Sequence, residues 1–403
     1  MKTIFLAAGK STRCQPIADK NFLEFCGESL ILKLLKIAKA GGAENFVIVS
    51  NAGNNSQIKK LCQKNDFLNN AEVTIQKNEE DGMAGGVLAG LEFVKDDEEI
   101  LILGGNDAVD PTIFGEVLKR GRKNDGAILA KRVQKYFPGG YLNIDENSRI
   151  ISVIEKPGEG NEPSDLVNIV AHFFRQAGSL KSFLIKTTGK KDERYERALD
   201  NLFREKNIVA VEYDGPWHAV KFPWDALAMS AYFLGIQKGN IDNSAEIAPS
   251  ATLKNPENII IEAGVKIMEN ATIVGPAHLG KNVVVGQNVL IRESSISENS
   301  TIGFNCEIAR SVLARNVSTH FAYVGDSVVG ENVNFGAFSC TANLRLDGKP
   351  IRMKIKDQII DSGCQKCGAI IGENVQIGVG AKIMPGRKIS ANLFIGPNEV
   401  ITK

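Results

Sequence analysis

Apolar residues fall along this chain in two different rhythms. Up to about residue 235, short apolar runs at 3–7, 45–49, 72–76, 100–103 and 127–130 are separated by stretches such as 30–40 and 87–94, whose apolar positions recur at helical spacing. Buried strands alternating with helices predict an α/β layer on a mostly parallel sheet, Rossmann-like in its rhythm. Ligands of such sheets bind at the carboxyl ends of the strands, so the loops after strands are where chemistry is expected.

After about residue 239 the helical period disappears and a period of six replaces it. It begins with Ile241, Ile247 and Leu253, and runs through Ile261, Ile267, Ile273, Leu279, Val285 and Ile291. After a one-residue slip it resumes with Ile296, Ile302 and Ile308, then Val317, Tyr323, Val329, Phe335 and Thr341, and finally Ile371, Ile377, Ile383, Ile389 and Ile395. Such a repeat predicts short strands stacked as a three-sided prism, a left-handed parallel β-helix of about eighteen residues per coil, with the hexad positions inside. The polar, basic segment 344–366 interrupts the repeat and is expected as an ejected loop. The expected organisation is a first domain over 1–225, a linker helix over 226–240 and the prism over 241–403.

Composition narrows the classes of function. Among 403 residues, 48 Lys and Arg face 47 Asp and Glu, a net charge of +1 that argues against a nucleic-acid partner held by a broad basic face. With 43% hydrophobic and 24% charged residues, the chain reads as an ordinary globular protein. No apolar stretch approaches the length of a membrane span, and the odd count of seven scattered cysteines suits reduced thiols in a cytoplasm. Cys364 and Cys367 have the spacing of half a zinc site, without a second pair. His172 and His278, with no motif around them, are expected to be structural.

The first strand runs into Leu6-Ala7-Ala8-Gly9-Lys10-Ser11-Thr12-Arg13, with Lys20 following. A glycine turn after a strand admits phosphate close to backbone N–H groups, and Arg13 and Lys20 would neutralise its charge. The whole segment resembles the signature of the sugar-1-phosphate nucleotidyltransferases. Ser11 stands where that signature has its second glycine, a replacement tolerable if its φ is negative. Later segments resemble the same family in order. Gln76 with Asp81-Gly82-Met83 is similar to its nucleobase segment, joined by Leu6, Ala8 and Gly9. Gly105-Asn106-Asp107 occupies its metal position, while Gly140-Tyr141, Glu155-Lys156-Pro157 and Asn168 are similar to its sugar-contacting motifs. The resemblance implies attack by a sugar-1-phosphate oxygen on the α-phosphorus of a nucleoside triphosphate, with pyrophosphate leaving and Mg²⁺ held by a carboxylate. Asn106 and Ala219 stand where metal-binding aspartates are expected, so either Asp107, Asp110 or Asp225 substitutes, with Asp107 the one chosen, or Lys221 takes over some of the charge neutralisation.

In the second half, His320-Phe321-Ala322-Tyr323-Val324-Gly325-Asp326 breaks the plain hexads, and Asn334 and Asn343 follow on later coils. This stretch closely resembles the acetyltransferase domain of the bifunctional enzymes that make UDP-N-acetylglucosamine. The resemblance implies acetyl-CoA as co-substrate, His320 as general base, Tyr323 and Asn343 positioning the amino sugar, and Lys349 or Arg352 on its phosphate. Phe338-Ser339 departs from the family's Gly-Thr. The expected state is a homotrimer. Two other readings remain open on sequence: a thymidylyl- or uridylyltransferase for another hexose-1-phosphate whose prism only oligomerises, and a regulatory subunit with an inactive head.

Overall fold

The computed structural model describes residues 1–189 and 193–402. They form two compact units, one of Met1–Lys10 with Ile31–Trp217 and the other of Ser11–Leu30 with His218–Lys403. Over the stretch expected as a linker helix, the chain is helical through Asp225–Ile236.

In the first unit, Lys2–Leu6 lies between Phe46–Ser50 and Ile100–Gly104 and is parallel to both. Every residue of Phe46–Ser50 is buried, and an unbroken apolar run suits a strand covered on two faces. Leu166–Phe174 runs antiparallel beside Ile100–Gly104, and the hairpin of Gly140–Ile144 with Ile150–Glu155 extends that side. The sheet therefore has a parallel centre and an antiparallel flank, which the apolar runs did not separate.

The helix expected over 87–94 is Gly82–Leu91. Its start is invisible to periodicity because Gly82, Ala84, Gly85 and Gly86 carry no apolar bulk. The small residues serve close packing: a Cβ on Gly90 would lie 2.5 Å from the Ile4 side chain.

In the second unit, three parallel eight-stranded sheets stack around an aliphatic interior, the left-handed β-helix. From Ile261 to Ile308 the hexad residues are 0–2% exposed. Corners carry asparagines in the left-handed region, such as Asn316 (φ 58°), Asn332 (57°), Asn374 (59°) and Asn392 (61°). Asparagine tolerates that conformation better than most residues. Here its amides also ladder from coil to coil, each Nδ2 donating to the next Oδ1 at 2.9 Å.

The hexad count misplaces Tyr323. Glu307 pairs with Tyr323 sixteen residues later, so this coil is shorter than eighteen. Val324 takes the inward position beside Ile308, fully buried, and Tyr323 faces outward. The ejected segment also differs from a polar loop. Arg352–Ile355 and Gln358–Asp361 form an antiparallel hairpin, and Ile351, Met353 and Ile355 are buried along one face.

Candidate active sites

In the first unit, the end of the leading strand is fixed from several directions. Gly105 N–H donates to Leu6 O at 3.0 Å, and a Cβ on Gly105 would sit 2.5 Å from that oxygen, so only glycine allows the approach. Asn51 Nδ2 donates to Ala8 O at 3.1 Å and Asn54 Nδ2 to Ala7 O at 2.9 Å. Neither asparagine was identified from sequence; an isolated Asn in a loop gives no signal. Among the described residues nothing lies within 4 Å of where a Gly9 Cβ would be. Packing does not demand this glycine, and the open space suits a ligand close to the backbone.

Gln76 Nε2 donates to Asn78 O at 3.0 Å and Gly82 O at 2.8 Å, holding the loop that starts the Gly82–Leu91 helix. Its Oε1 would lie 3.2 Å from a Cβ on Gly86, which would itself be 3.4 Å from Leu6. Leu6, Gln76 and the Gly82-Met83 start of the helix are thus brought together, with Met83 half-buried. The sugar candidates also converge: a Cβ on Gly140 would be 2.8 Å from Asn168 Nδ2 and 3.4 Å from Glu155 Oε2.

Of the candidate carboxylates, Asp110 accepts from Thr112 N–H at 2.9 Å and also from its hydroxyl, which holds its carboxyl below the usual range. Asp107 accepts from Trp217 Nε1 at 2.9 Å, and the Trp217 ring packs 4.6 Å from Phe137. Trp217 as the holder of Asp107 escaped sequence reasoning because the two are far apart in the chain. Mg²⁺ is commonly held by one or two carboxylates plus substrate phosphates.

The remaining phosphate candidates belong to the second unit. Ser11 has φ 55°, so the negative φ on which the replacement was expected to depend is not what the chain adopts. Its hydroxyl compensates: Oγ accepts from Lys20 N–H at 3.1 Å and donates to Asp19 Oδ1 at 3.4 Å. Lys20 Nζ donates to Val220 O at 3.0 Å, and the exposed Arg13 guanidinium lies 5.8 Å above the Phe222 ring. Asp225 Oδ2 accepts the N–H groups of Lys221 and Phe222 at 2.8 and 2.7 Å, bracing the turn before its own helix, while burial raises its carboxyl pKa.

On the prism, His320 is exposed at the turn leading into Tyr323–Gly325. A Cβ on Gly303 would lie 3.2 Å from its Nδ1 and 2.4 Å from Thr319 O, so the glycine makes room for this turn. Asn343 lies at the turn leaving the same face. Its Nδ2 donates to Tyr323 Oη at 2.9 Å and to Asp326 Oδ2 at 2.5 Å, and Asp326 takes both arms of Arg310 at 2.7 Å. Burial, with Glu307 and Asp326 nearby, raises the Tyr323 phenol. Tyr323 and Asn343 are therefore brought together, while His320 stands at the other end of the face. Lys349 and Arg352 are exposed on the ejected segment. Phe304, Phe321 and Phe338 form an exposed ladder at the His320 corner, with centroids 6.1 and 4.7 Å apart.

The other singled-out residues are internal. His172 is fully buried with Nδ1 2.9 Å from Tyr195 Oη, and burial brings its pKa down to about 3. His278 Nε2 lies 2.9 Å from Glu262 Oε1. The Cys367 thiol is raised by burial. Among the described residues no helix is long and apolar enough to cross a membrane.

The Nucleotidyl transferase family matches residues 2–220, and the Bacterial transferase hexapeptide family matches 258–293. The chain is 31% identical over 413 residues to "Bifunctional protein GlmU" of Methanocaldococcus jannaschii, covering 100% of this chain and 95% of that protein. It is 28% identical over 423 residues to "Bifunctional sugar-1-phosphate nucleotidylyltransferase/acetyltransferase" of Sulfurisphaera tokodaii, covering 100% and 98% respectively. The crystal structure of apo-UDP-glucose pyrophosphorylase superposes with a TM-score of 0.51 at 18% identity, covering 58% of this chain and 98% of that one. That likeness shows a shared fold over 58% of this chain.

Proposed function

Because the chain belongs to the Nucleotidyl transferase family and carries the hexapeptide repeats of bacterial transferases, we propose that it makes a UDP-N-acetyl-hexosamine in two steps. The prism transfers acetyl from acetyl-CoA to glucosamine-1-phosphate, and the head transfers uridylyl from UTP to the acetylated product, releasing pyrophosphate.

In the first step His320 accepts the proton as the sugar amine attacks the thioester carbonyl, and coenzyme A leaves as the thiol. Tyr323 and Asn343, fixed by Asp326 and Arg310, orient the sugar, and Lys349 or Arg352 receives its phosphate. In the second step Leu6, Ala8, Gln76, Gly82 and Met83 hold the nucleotide. Gly140, Glu155 and Asn168 hold the sugar. Arg13 and Lys20 neutralise the triphosphate, and the open backbone at Gly9 admits it. Bound Mg²⁺ would supply further charge neutralisation, with Asp107 as its protein ligand.

The observation that carries this reading is the joint presence of an exposed His320 and the Tyr323–Asn343–Asp326–Arg310 net on one prism face. A prism that only oligomerised has no use for such a polar net. The aromatic ladder beside His320 supports a homotrimer, since exposed apolar patches mark interaction surfaces. Incubation with amino-sugar-1-phosphates, acetyl-CoA and each nucleoside triphosphate, with products read by mass, tests both steps. Acetylated sugar phosphate and its UDP conjugate are expected. Nucleotide sugar without acetylation would leave the oligomerising reading.

A further inference from the structure

Arg13 and Lys20, on which the proposed nucleotidyl transfer depends, sit on a segment whose own contacts tie it to the prism unit. Ser11 to Leu30 is internally braced. Cys14 N–H donates to Ser11 O at 2.8 Å, Lys20 N–H to Ser11 Oγ at 3.1 Å, Leu23 N–H to Lys20 O at 3.2 Å, and Leu30 N–H to Leu23 O at 2.9 Å. Its far end is a two-residue hairpin, Glu24–Phe25 against Glu28–Ser29, turning through Cys26 and Gly27 at φ 48° and 75°. Two positive φ values in a row suit a tight turn that fits strand twist.

This hairpin tip is seated on the coils. Cys26 N–H donates to the buried Ser295 Oγ at 3.0 Å. Gly27 lies on the Glu262–His278 pair so closely that a Cβ there would be 2.6 Å from Glu262 Oε1 and 3.3 Å from His278 Nε2. Glu24 pairs with Arg315, which also meets Glu298 at 3.5 Å and Glu331 at 3.3 Å. Phe25 is buried with its ring 5.7 Å from Phe233 of the Asp225–Ile236 helix.

The hexad interior does not include these groups, and Arg315 joins the hairpin's Glu24 to Glu298 and Glu331 of the coils. Together they fix the hairpin, and through the braced segment they fix Arg13 and Lys20. We infer that Ser295 and Arg315 are positioning residues for nucleotidyl transfer, acting through the 24–29 hairpin on the triphosphate-handling side chains. The inference rests on the proposed activity of the head.

The test uses the full chain with Glu24→Gln, Gly27→Ala, Ser295→Ala and Arg315→Ala, read by hydrogen exchange and by both activities. Peptides within 11–30 should exchange faster in the variants, while those within 31–189 stay as in wild type. Nucleotidyl transfer should fall by about 10–100-fold in kcat/KM for the triphosphate, the scale of a small misplacement of reacting groups, and acetyl transfer should not change. Glu24→Gln alters no prism residue and only weakens the anchor, so it reports even if another variant folds poorly. An active wild type whose variants show unchanged exchange in 11–30, or faster exchange with unchanged nucleotidyl transfer, would overturn the inference. A wild type that releases no pyrophosphate with any triphosphate instead sinks the proposed head activity, and this inference with it.

Discussion

The indole Nε1 of Trp217 donates to Asp107 Oδ1 at 2.9 Å, linking two side chains 110 residues apart. The bond orients the carboxylate proposed to hold Mg²⁺. Trp217→Phe keeps a ring against Phe137 and removes the donor. Loss of such an outer partner typically costs about 10–100-fold in metal affinity or activity. Pyrophosphate release measured against Mg²⁺ concentration should shift to higher metal. An unchanged Mg²⁺ curve would show that Asp107 does not hold the ion.

Asp107→Ala should remove Mg²⁺-dependent pyrophosphate release altogether. Asn106→Asp with Ala219→Asp, restoring the carboxylates of the family pattern, should raise the rate or lower the metal requirement. Both are read in the same coupled assay. Activity that survives Asp107→Ala would reassign the metal site.

His320→Ala should reduce acetyl transfer by about 10²–10⁴-fold, the usual contribution of a general base, and leave pyrophosphate release intact. Gly303→Ala should act in the same direction, since the new Cβ would press on Thr319 O and crowd the imidazole. Thiol release from acetyl-CoA measures both. Wild-type acetylation in His320→Ala would make His320 a bystander.

Tyr323→Phe deletes the phenolic oxygen that accepts from Asn343 while preserving the ring. The KM for glucosamine-1-phosphate should rise more than kcat falls, because the pair orients the sugar instead of moving its proton. A fall confined to kcat would point to a direct role in proton transfer.

Acid should destabilise the first unit through His172. In the folded chain burial holds its pKa to about 3, while an unfolded histidine titrates near 6.5. Between those values the unfolded chain binds the extra proton, so stability is fully present above about pH 6.5 and declines as pH falls toward 3. At pH 5 the loss is about 2 kcal/mol. His172→Gln removes the titrating group and should flatten the decline in Tm between pH 7 and 5. An equally steep decline in the variant would place the acid sensitivity elsewhere.

What the sequence by itself determined is what repeats or lies close along the chain. Each hexad aliphatic must enter the prism interior wherever the coil runs, so Ile261 through Ile308 were legible as core. The strand-to-glycine signature at Leu6–Gly9 is likewise local, and so is the His320–Asp326 run. Tertiary structure decided the rest, because it depends on partners distant in sequence. Shortening of the coil to sixteen residues turned Tyr323 outward, where Asn343 could meet it. Ser11 took a positive φ, with its hydroxyl accepting from Lys20 N–H and donating to Asp19. Trp217 found Asp107, and Ser295 found the Cys26 N–H, across separations no periodicity records. A period reports which face is buried, whereas a hydrogen bond between distant residues exists only once the chain has brought its donor and acceptor within reach.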